Sequence, residues 1–230
     1  MATASKQLEE SRPERLYNGD RITQKEYHRI YCQMPEDYRA ELIGGIVFEP
    51  SPATYFHGSH LSHLAYLLES YSVATPGTGV AGDATLILSD EDEPQPDLML
   101  RISEEHGGQS RISKDGYVEG APELVAEIAY SSRAIDLHLK RERYALAGVI
   151  EYLVVCLEPE RIYWFDLRSG TELQSDRKGI IRSQTFPGLW IHEDGLLKLD
   201  RDATSNALKR GLKTSEHKEF VAGLATLSPP

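Results

Sequence analysis

The stretch PELVAEIAYSS, Pro122 to Ser132, sets an acidic residue in the middle of an apolar run. Read as a strand, it places Leu124, Ala126 and Ile128 on one face and Val125, Glu127 and Ala129 on the other, because successive strand side chains alternate. A strand this apolar on both faces should be buried, and an unpaired carboxylate buried with it costs on the order of a few kcal/mol. Glu127 therefore needs a partner, and the neighbouring segments supply the candidates.

Upstream lie two further apolar stretches that read as strands, GVAGDATLIL and PDLMLRI, the second joined to the first-quoted run by the polar, glycine-rich connection SEEHGGQSRISKDGYVEG. Downstream, SRAIDLHLKRERYALAGV reads as a helix opened by a serine and closed by Gly148. EYLVVCLEPERIYWFDL follows as a hairpin of two apolar strands turning at Glu158-Pro159, and FPGLWIHEDGLLKLD adds a last strand. Nearer the start, TQKEYHRIYCQM has the helical spacing of Tyr27, Ile30 and Tyr31 and stops at Pro35. YRAELIGGIVFEPSP reads as a hairpin around Gly44-Gly45, and FHGSHLSHLAYLLESYSV as a helix with Leu61, Leu64, Leu67 and Leu68 on its apolar stripe. Alternating helices and strands place the chain in the α/β class. Residues 1–20 read as a flexible tail, 21–199 as one domain, and 200–230, ending Ser-Pro-Pro, as a polar C-terminal tail with some helix.

With 230 residues, 40% of them hydrophobic and 27% charged, the chain has the composition of a globular protein with a sizeable core. No apolar run is long enough to span a bilayer, and the polar start lacks the apolar segment of a signal peptide, so a cytoplasmic location is expected. Cys32 and Cys156 lack metal-ligand spacing, and Cys156 reads as a small buried hydrophobe. A net charge of -11 argues against a general nucleic-acid coat protein but leaves room for a local basic cleft. The acidic run SDEDEP, Ser89 to Pro94, reads as a solvated turn.

Three residues conflict in type with their surroundings. Asp97 heads the apolar strand LMLRI, Glu127 interrupts its own strand, and Lys140 stands on the helix that follows. Strands joined by a single connection usually become neighbours, which would bring the two carboxylates together. Like charges that close raise one pKa sharply unless a cation lies between them. Hard oxygen donors that leave room for water suit Mg²⁺ or Mn²⁺, a metal that can polarise a phosphate and activate an attacking water. Lys140 could then stabilise charge developing on the phosphate.

In these residues the chain resembles the PD-(D/E)XK nuclease superfamily, and within it the Uma-type family of restriction-endonuclease-like proteins, formerly a domain of unknown function. The segments that carry the resemblance are YRAELIGGIVFEPSP, HGSHLSHLAYLLE, EPQPDLML, PELVAEI, DLHLKRERYALAGVIEYLVV and FPGLWI, in the family's order between about Tyr38 and Leu199. The ladder Asp136, Lys140, Tyr144, Gly148 adds to it. The resemblance implies a restriction-endonuclease-like core, a mixed β-sheet flanked by helices, and a Mg²⁺-dependent endonuclease acting on DNA. By the same resemblance Asp97 and Glu127 match the metal-binding pair, Glu41 the family's early glutamate, and His57 a histidine common among relatives. Superfamily members often dimerise, so a homodimer is one implied assembly. The superfamily's lysine belongs two residues after the glutamate, where this chain has Ala129; Lys140 matches the lysine that members of this family carry on the next helix. Gly44 and Ile46 replace acidic residues usual in the early hairpin, and Ala129, Tyr130 and Ser131 stand where Leu-Ser-Pro is common.

Plainer readings stand beside these. Pro96-Asp97 is ordinary turn chemistry. Asp136 and Lys140 have the spacing of an exposed helical ion pair, worth about 0.3–0.5 kcal/mol. Arg141 and Arg143 read as coating a solvated or phosphate-facing side. His57, His60 and His63 drift around a helix instead of converging, which disfavours a three-histidine metal site; for His57 a capping role is open. GTGVAG, Gly77 to Gly82, fits a dinucleotide-loop pattern, but a helix precedes it and a strand follows, the reverse of the required context, so it reads as a flexible turn. Two functions result: a metal-dependent DNA endonuclease, or a catalytically degenerate nuclease-fold module that binds protein or nucleic acid.

Overall fold

The computed structural model describes residues 15–227. The chain opens with α1 (Gln24–Tyr31), whose cap Thr23 accepts from the Glu26 amide, and a hairpin of β1 (Glu41–Ile43) and β2 (Ile46–Phe48). Gly44 and Gly45 make that turn with φ of 59° and 72°, a conformation side chains with a Cβ rarely adopt. Next come α2 (Tyr55–Val73), β3 (Thr78–Gly82), β4 (Leu86–Ile87) and β5 (Leu98–Ile102). The polar connection expected after β5 contains two short strands, β6 (Arg111–Ile112) and β7 (Val118–Glu119), which pair with β4 as a small separate sheet. After them comes β8 (Leu124–Ala129), the strand of the opening stretch.

The helix after β8 begins as a π-helical segment, Ile135–Lys140, and continues as α3 (Arg141–Ala147), ended by Gly148 in the left-handed region at φ 95°. Then follow β9 (Glu151–Leu157), β10 (Glu160–Asp166), β11 (Thr171–Glu172), β12 (Ile180–Arg182) and β13 (Trp190–His192). Three helices close the chain: α4 (Glu193–Leu197), α5 (Arg201–Gly211) and α6 (Ser215–Leu227).

The central sheet runs β11-β10-β9-β8-β5-β3, with β8 and β9 parallel and the other pairs antiparallel. It is the mixed α/β sheet that the sequence leads one to expect. Every residue of β8 is buried, and its two faces divide as the alternation requires. Leu124, Ala126 and Ile128 join a core with Leu64, Leu67 and Leu68 of α2, and Val125 and Ala129 join one with Tyr144, Tyr152 and Cys156. Full burial of Leu124, Val125 and Ile128 contributes about 1.5–3 kcal/mol each, which offsets the desolvation of the Glu127 carboxylate among them. The stretch read as a flexible glycine turn is largely edge strand β3, held against β5.

Two expectations about the ends change. Of the expected N-terminal tail, residues 1–14 lie outside the described residues; Leu16 is buried with Tyr27, Ile30 and Val47 and so belongs to the fold. The polar stretch after Asp200 forms α5 and α6 instead of a tail. Leu208 of α5 enters the core against the sheet, and α5 packs on β13 and α2. Its docking uses small residues: a Cβ on Gly211 would collide with the backbone of Gly188, so the chains meet there only because neither carries a side chain.

The acidic run is also not solvated throughout. Asp92 and Glu93 are 2% and 1% exposed. Asp92 takes a forked pair from Arg143, with Nε at 2.9 Å from Oδ1 and Nη2 at 2.6 Å from Oδ2. Glu93 takes Gln24 Nε2 at 2.6 Å and His28 Nδ1 at 2.8 Å. Arg143 thus ties α3 to the acidic run instead of facing solvent, while Arg141 stacks over Phe165 at 3.9 Å. No helix among the described residues is long and apolar enough to cross a membrane.

Buried histidines fasten the C-terminal helices. His63 Nε2 meets Thr204 Oγ1 of α5 at 2.8 Å, and His217 Nε2 meets Thr75 Oγ1 at 2.9 Å. Burial lowers both imidazole pKa values, with Arg201 and His60 adding to the effect at His63. The folded state therefore favours neutral imidazoles. Their stabilisation is full above the ordinary histidine pKa of about 6.5 and is lost as the pH falls below it toward the lower folded values. Relative to wild type, His217→Gln should lose less stability between about pH 7.5 and about pH 5.5 in thermal melts. Identical pH slopes for the two proteins would refute this assignment.

Candidate active site

Asp97 immediately precedes β5, and Glu127 lies in β8. The register Leu98↔Ala126 sets the two acids opposite one another where the strands end. Their contacts are reciprocal: the Asp97 amide donates to Glu127 Oε2 at 3.2 Å, and the Ile128 amide donates to Asp97 Oδ2 at 2.6 Å. The inference that strands joined by one connection become neighbours thus holds, and the carboxylates share one place.

Lys140 comes to the same place from the end of the π-helical segment. Its Nζ lies 3.0 Å from Glu127 Oε1, 2.9 Å from Glu41 Oε2 of β1 and 3.8 Å from Asp136 Oδ1. Lys140 and Asp136 are both buried, so they are not an exposed helical pair. The widened turn matters here, because π segments depart from regular helix geometry and frequently occur at functional sites. Burial pulls the Lys140 pKa down, but Glu127, Glu41 and Asp136 outweigh it and hold the value well above the ordinary one. The same crowding acts on the acids. Burial raises Glu127 well above the usual carboxylate range; Lys140 opposes this, and Asp97, Asp136 and Glu41 add to it. One ammonium stands here against several carboxylates, and a further cation among them would relieve the crowding.

His57 reaches the site from the first turn of α2. Its Nδ1 donates to the Ile128 carbonyl at 3.1 Å and its Nε2 faces Asp97 Oδ1 at 3.3 Å. The bond to Asp97 raises the His57 pKa against the opposing effect of burial. His60 and His63 turn elsewhere, to the Leu197 carbonyl and to Thr204, so the three histidines do not converge.

Two further side chains belong to the cluster. Tyr144, fully buried on α3, donates its hydroxyl to Glu127 Oε1 at 3.1 Å and fixes that carboxylate from below. Asp136 Oδ1, although buried, accepts no hydrogen bond. Both sit in the sequence ladder Asp136, Lys140, Tyr144, whose spacing of four could have marked them as one face directed at Glu127. Asp83, at the rim, has its pKa raised by burial and then by Asp97.

These groups floor a cleft of about 470 Å³ between the loop after β2 and the segment after β8. Six acidic side chains line it, Glu41, Glu49, Asp83, Asp97, Glu127 and Asp136, against Arg39, Lys140 and His57. Among the described residues no three His, Cys, Asp or Glu side chains form a ready metal-binding group. What the cleft offers is the pair Asp97 and Glu127. Their oxygen donors, the crowding of acidic groups and the unsatisfied Asp136 oxygen fit a hard divalent cation that keeps much of its own water.

Residues 24–198 match the model of the Uma2 family, described as "Putative restriction endonuclease". Among solved structures, the chain is similar to a "putative nuclease belonging to DUF820" from Anabaena variabilis, with 13% identity and a TM-score of 0.59. The match covers 74% of this chain and 96% of that one, and at this identity it speaks to the fold. None of the curated proteins matches the chain.

Proposed function

The chain belongs to the Uma2 family, and on that premise we propose that it is a metal-dependent nuclease that hydrolyses phosphodiester bonds of DNA. The observation that carries the reading is the meeting of Asp97, Glu127 and Lys140 at the floor of one acidic cleft. Asp97 and Glu127 would hold Mg²⁺ or Mn²⁺, which when bound polarises the phosphate and lowers the pKa of the attacking water. In hydrolysis the water oxygen bonds to phosphorus, the ester P–O bond breaks and a proton reaches the leaving oxygen.

The chain's own groups have definable parts in this. Lys140 is the ammonium closest to Glu127 and stabilises charge that develops on the phosphate. Glu41 holds Lys140 in place from β1, and its carboxylate is itself anchored by the Gln95 amide at 2.7 Å. His57 holds Asp97 and the Ile128 carbonyl together and carries a proton near the rim. Ala129 occupies the position where the superfamily has its lysine, but Lys140 delivers an ammonium to the same glutamate. This supports an active enzyme over the non-catalytic module.

Asp97→Asn tests the reading. Asparagine retains an acceptor for the Ile128 amide, so the fold should survive, while the anionic metal ligand is lost. Cleavage of plasmid DNA with Mg²⁺ or Mn²⁺ should fall at least about 100-fold. Equal cleavage by both proteins would remove the proposed site. Absence of divalent-cation binding by calorimetry in wild type would favour the binding module instead.

A further inference from the structure

The cleft does not end at the carboxylates. Asp83 and Asp97 also line a second, more open groove of about 850 Å³ that continues between α2 and edge strand β3. The Asp97 carboxylate therefore lies where two depressions meet. The groove walls are mostly small and apolar, including Leu61, Ala65, Val80 and Leu98, with Tyr66 set among them. Tyr130 faces the cleft on the other side of the carboxylates. Tyr66 is 54% exposed and Tyr130 49% exposed. Two of the five exposed large aromatics among the described residues thus line this track.

The track is poor in basic groups. Arg39 and Lys140 are its only Lys or Arg side chains. Lys140 lies buried on the cleft floor beside Glu127, where it can serve the reacting phosphate only, and Arg39 Nη1 donates to the carbonyls of Glu36 and Tyr38. A duplex presents two closely spaced rows of phosphates and is held largely by basic residues that replace its counterions. An unpaired strand also needs cations along its backbone but draws part of its binding from bases that stack on aromatic side chains, a share that a duplex with its bases stacked inside cannot offer.

From this juxtaposition we propose that the groove and cleft bind a single unpaired DNA strand, with bases stacked on Tyr66 and Tyr130 and the phosphate between them delivered to Asp97 and Glu127. The proposal rests on the nuclease reading above and adds the class of substrate. A flap, an overhang or a melted segment satisfies it.

Binding is measured apart from cleavage, by fluorescence anisotropy of a labelled oligothymidine and of a mixed-sequence duplex of equal length, with Ca²⁺ as the cation. The strand should bind at least about tenfold more tightly than the duplex. Tyr66→Ala and Tyr130→Ala should each weaken strand binding by about 5- to 150-fold. Tyr66→Phe and Tyr130→Phe, which retain the ring, should bind like wild type. Equal affinity for strand and duplex, alanine variants that bind the strand as wild type does, or no binding of either DNA would overturn the proposal. The outcomes separate it from its premise. Asp97-dependent cleavage without strand preference removes only the substrate class, whereas strand binding with cleavage unchanged in Asp97→Asn removes the catalytic site and keeps the track.

Discussion

Replacing Lys140 by methionine should cost the protein about 3–5 kcal/mol of stability near neutral pH. Methionine keeps the length and apolar stem of the side chain, so what is lost is the ammonium. Glu41, Glu127 and Asp136 would then stand together, largely buried, with no cation within reach. Removing one partner from a buried ionic cluster leaves its opposite charges uncompensated, which is far worse than losing a surface pair. Burial already raises the pKa values of Glu127 and Asp136 against the opposing effect of Lys140, and in the variant that opposition is gone. The stabilisation of such a group is full below its unfolded pKa and lost as the pH rises through its folded pKa. The deficit should therefore shrink as the pH falls toward the ordinary carboxylate range of about 4. Urea denaturation of both proteins across that range measures it. If Asp97 and Glu127 bind a divalent cation, Mg²⁺ should also raise the melting temperature of the variant more than that of wild type. A variant as stable as wild type at neutral pH would contradict the picture of a compensating ammonium.

A comparable loss, about 3–5 kcal/mol, is expected for Glu151→Ala, in a place remote from the chemistry. Glu151 opens β9 and is fully buried. It accepts Trp164 Nε1 and Ser183 Oγ, both at 2.9 Å, and the Gln184 and Thr185 amides, both at 2.8 Å. Alanine leaves an indole N–H and two backbone amides without their acceptor, and each such buried donor costs about 1–3 kcal/mol. The loop it ties down carries Phe186 and Leu189 into the core beneath α2. Glu151→Gln retains one acceptor oxygen and should lose about half as much. Chemical denaturation ranks the three proteins, and an alanine variant within about 1 kcal/mol of wild type would exclude this role.

Glu127 and Glu151 explain together how far the sequence could be read. Both are carboxylates at strand positions among apolar residues, and only Glu127 drew notice, because Asp97 and a lysine could be placed beside it. The physical difference lies in the partners. Glu151 is surrounded by donors from an indole and a loop some thirty residues away, whereas Glu127 is surrounded by other ionisable groups. Alternation in β8, the hairpins and the Asp97 to Glu127 approach followed from local patterns and chain connectivity. The burial of Asp92 and Glu93 did not, since it depends on Arg143 and His28 arriving from distant elements. Nor did α5 and α6 as packed helices, whose few apolar anchors, Leu208 in one with Leu212 at its end and Phe220 and Leu224 in the other, stand in otherwise polar stretches and dock with the help of Gly211, Gly188 and the histidine–threonine bonds. Lys140 lay between the two cases. Its spacing from Asp136 was plain, but its burial required the hairpin carrying Glu41 to close over it.

The π-helical segment Ile135–Lys140 ties the site to the core behind the sheet, carrying Asp136 and Lys140 to the carboxylates and Leu137 into the packing around Tyr144. Such a segment amounts to one residue inserted into a regular helix, and each residue turns an α-helix by about 100°. Loss of a single codon there would rotate Asp136, Leu137 and the residues before them relative to Tyr144, and so turn Leu137 out of the core it shares with Val125 and Tyr144. One turn thus sets both the position of the site's charged groups and the packing behind them, so an insertion or deletion there would cost chemistry and stability together.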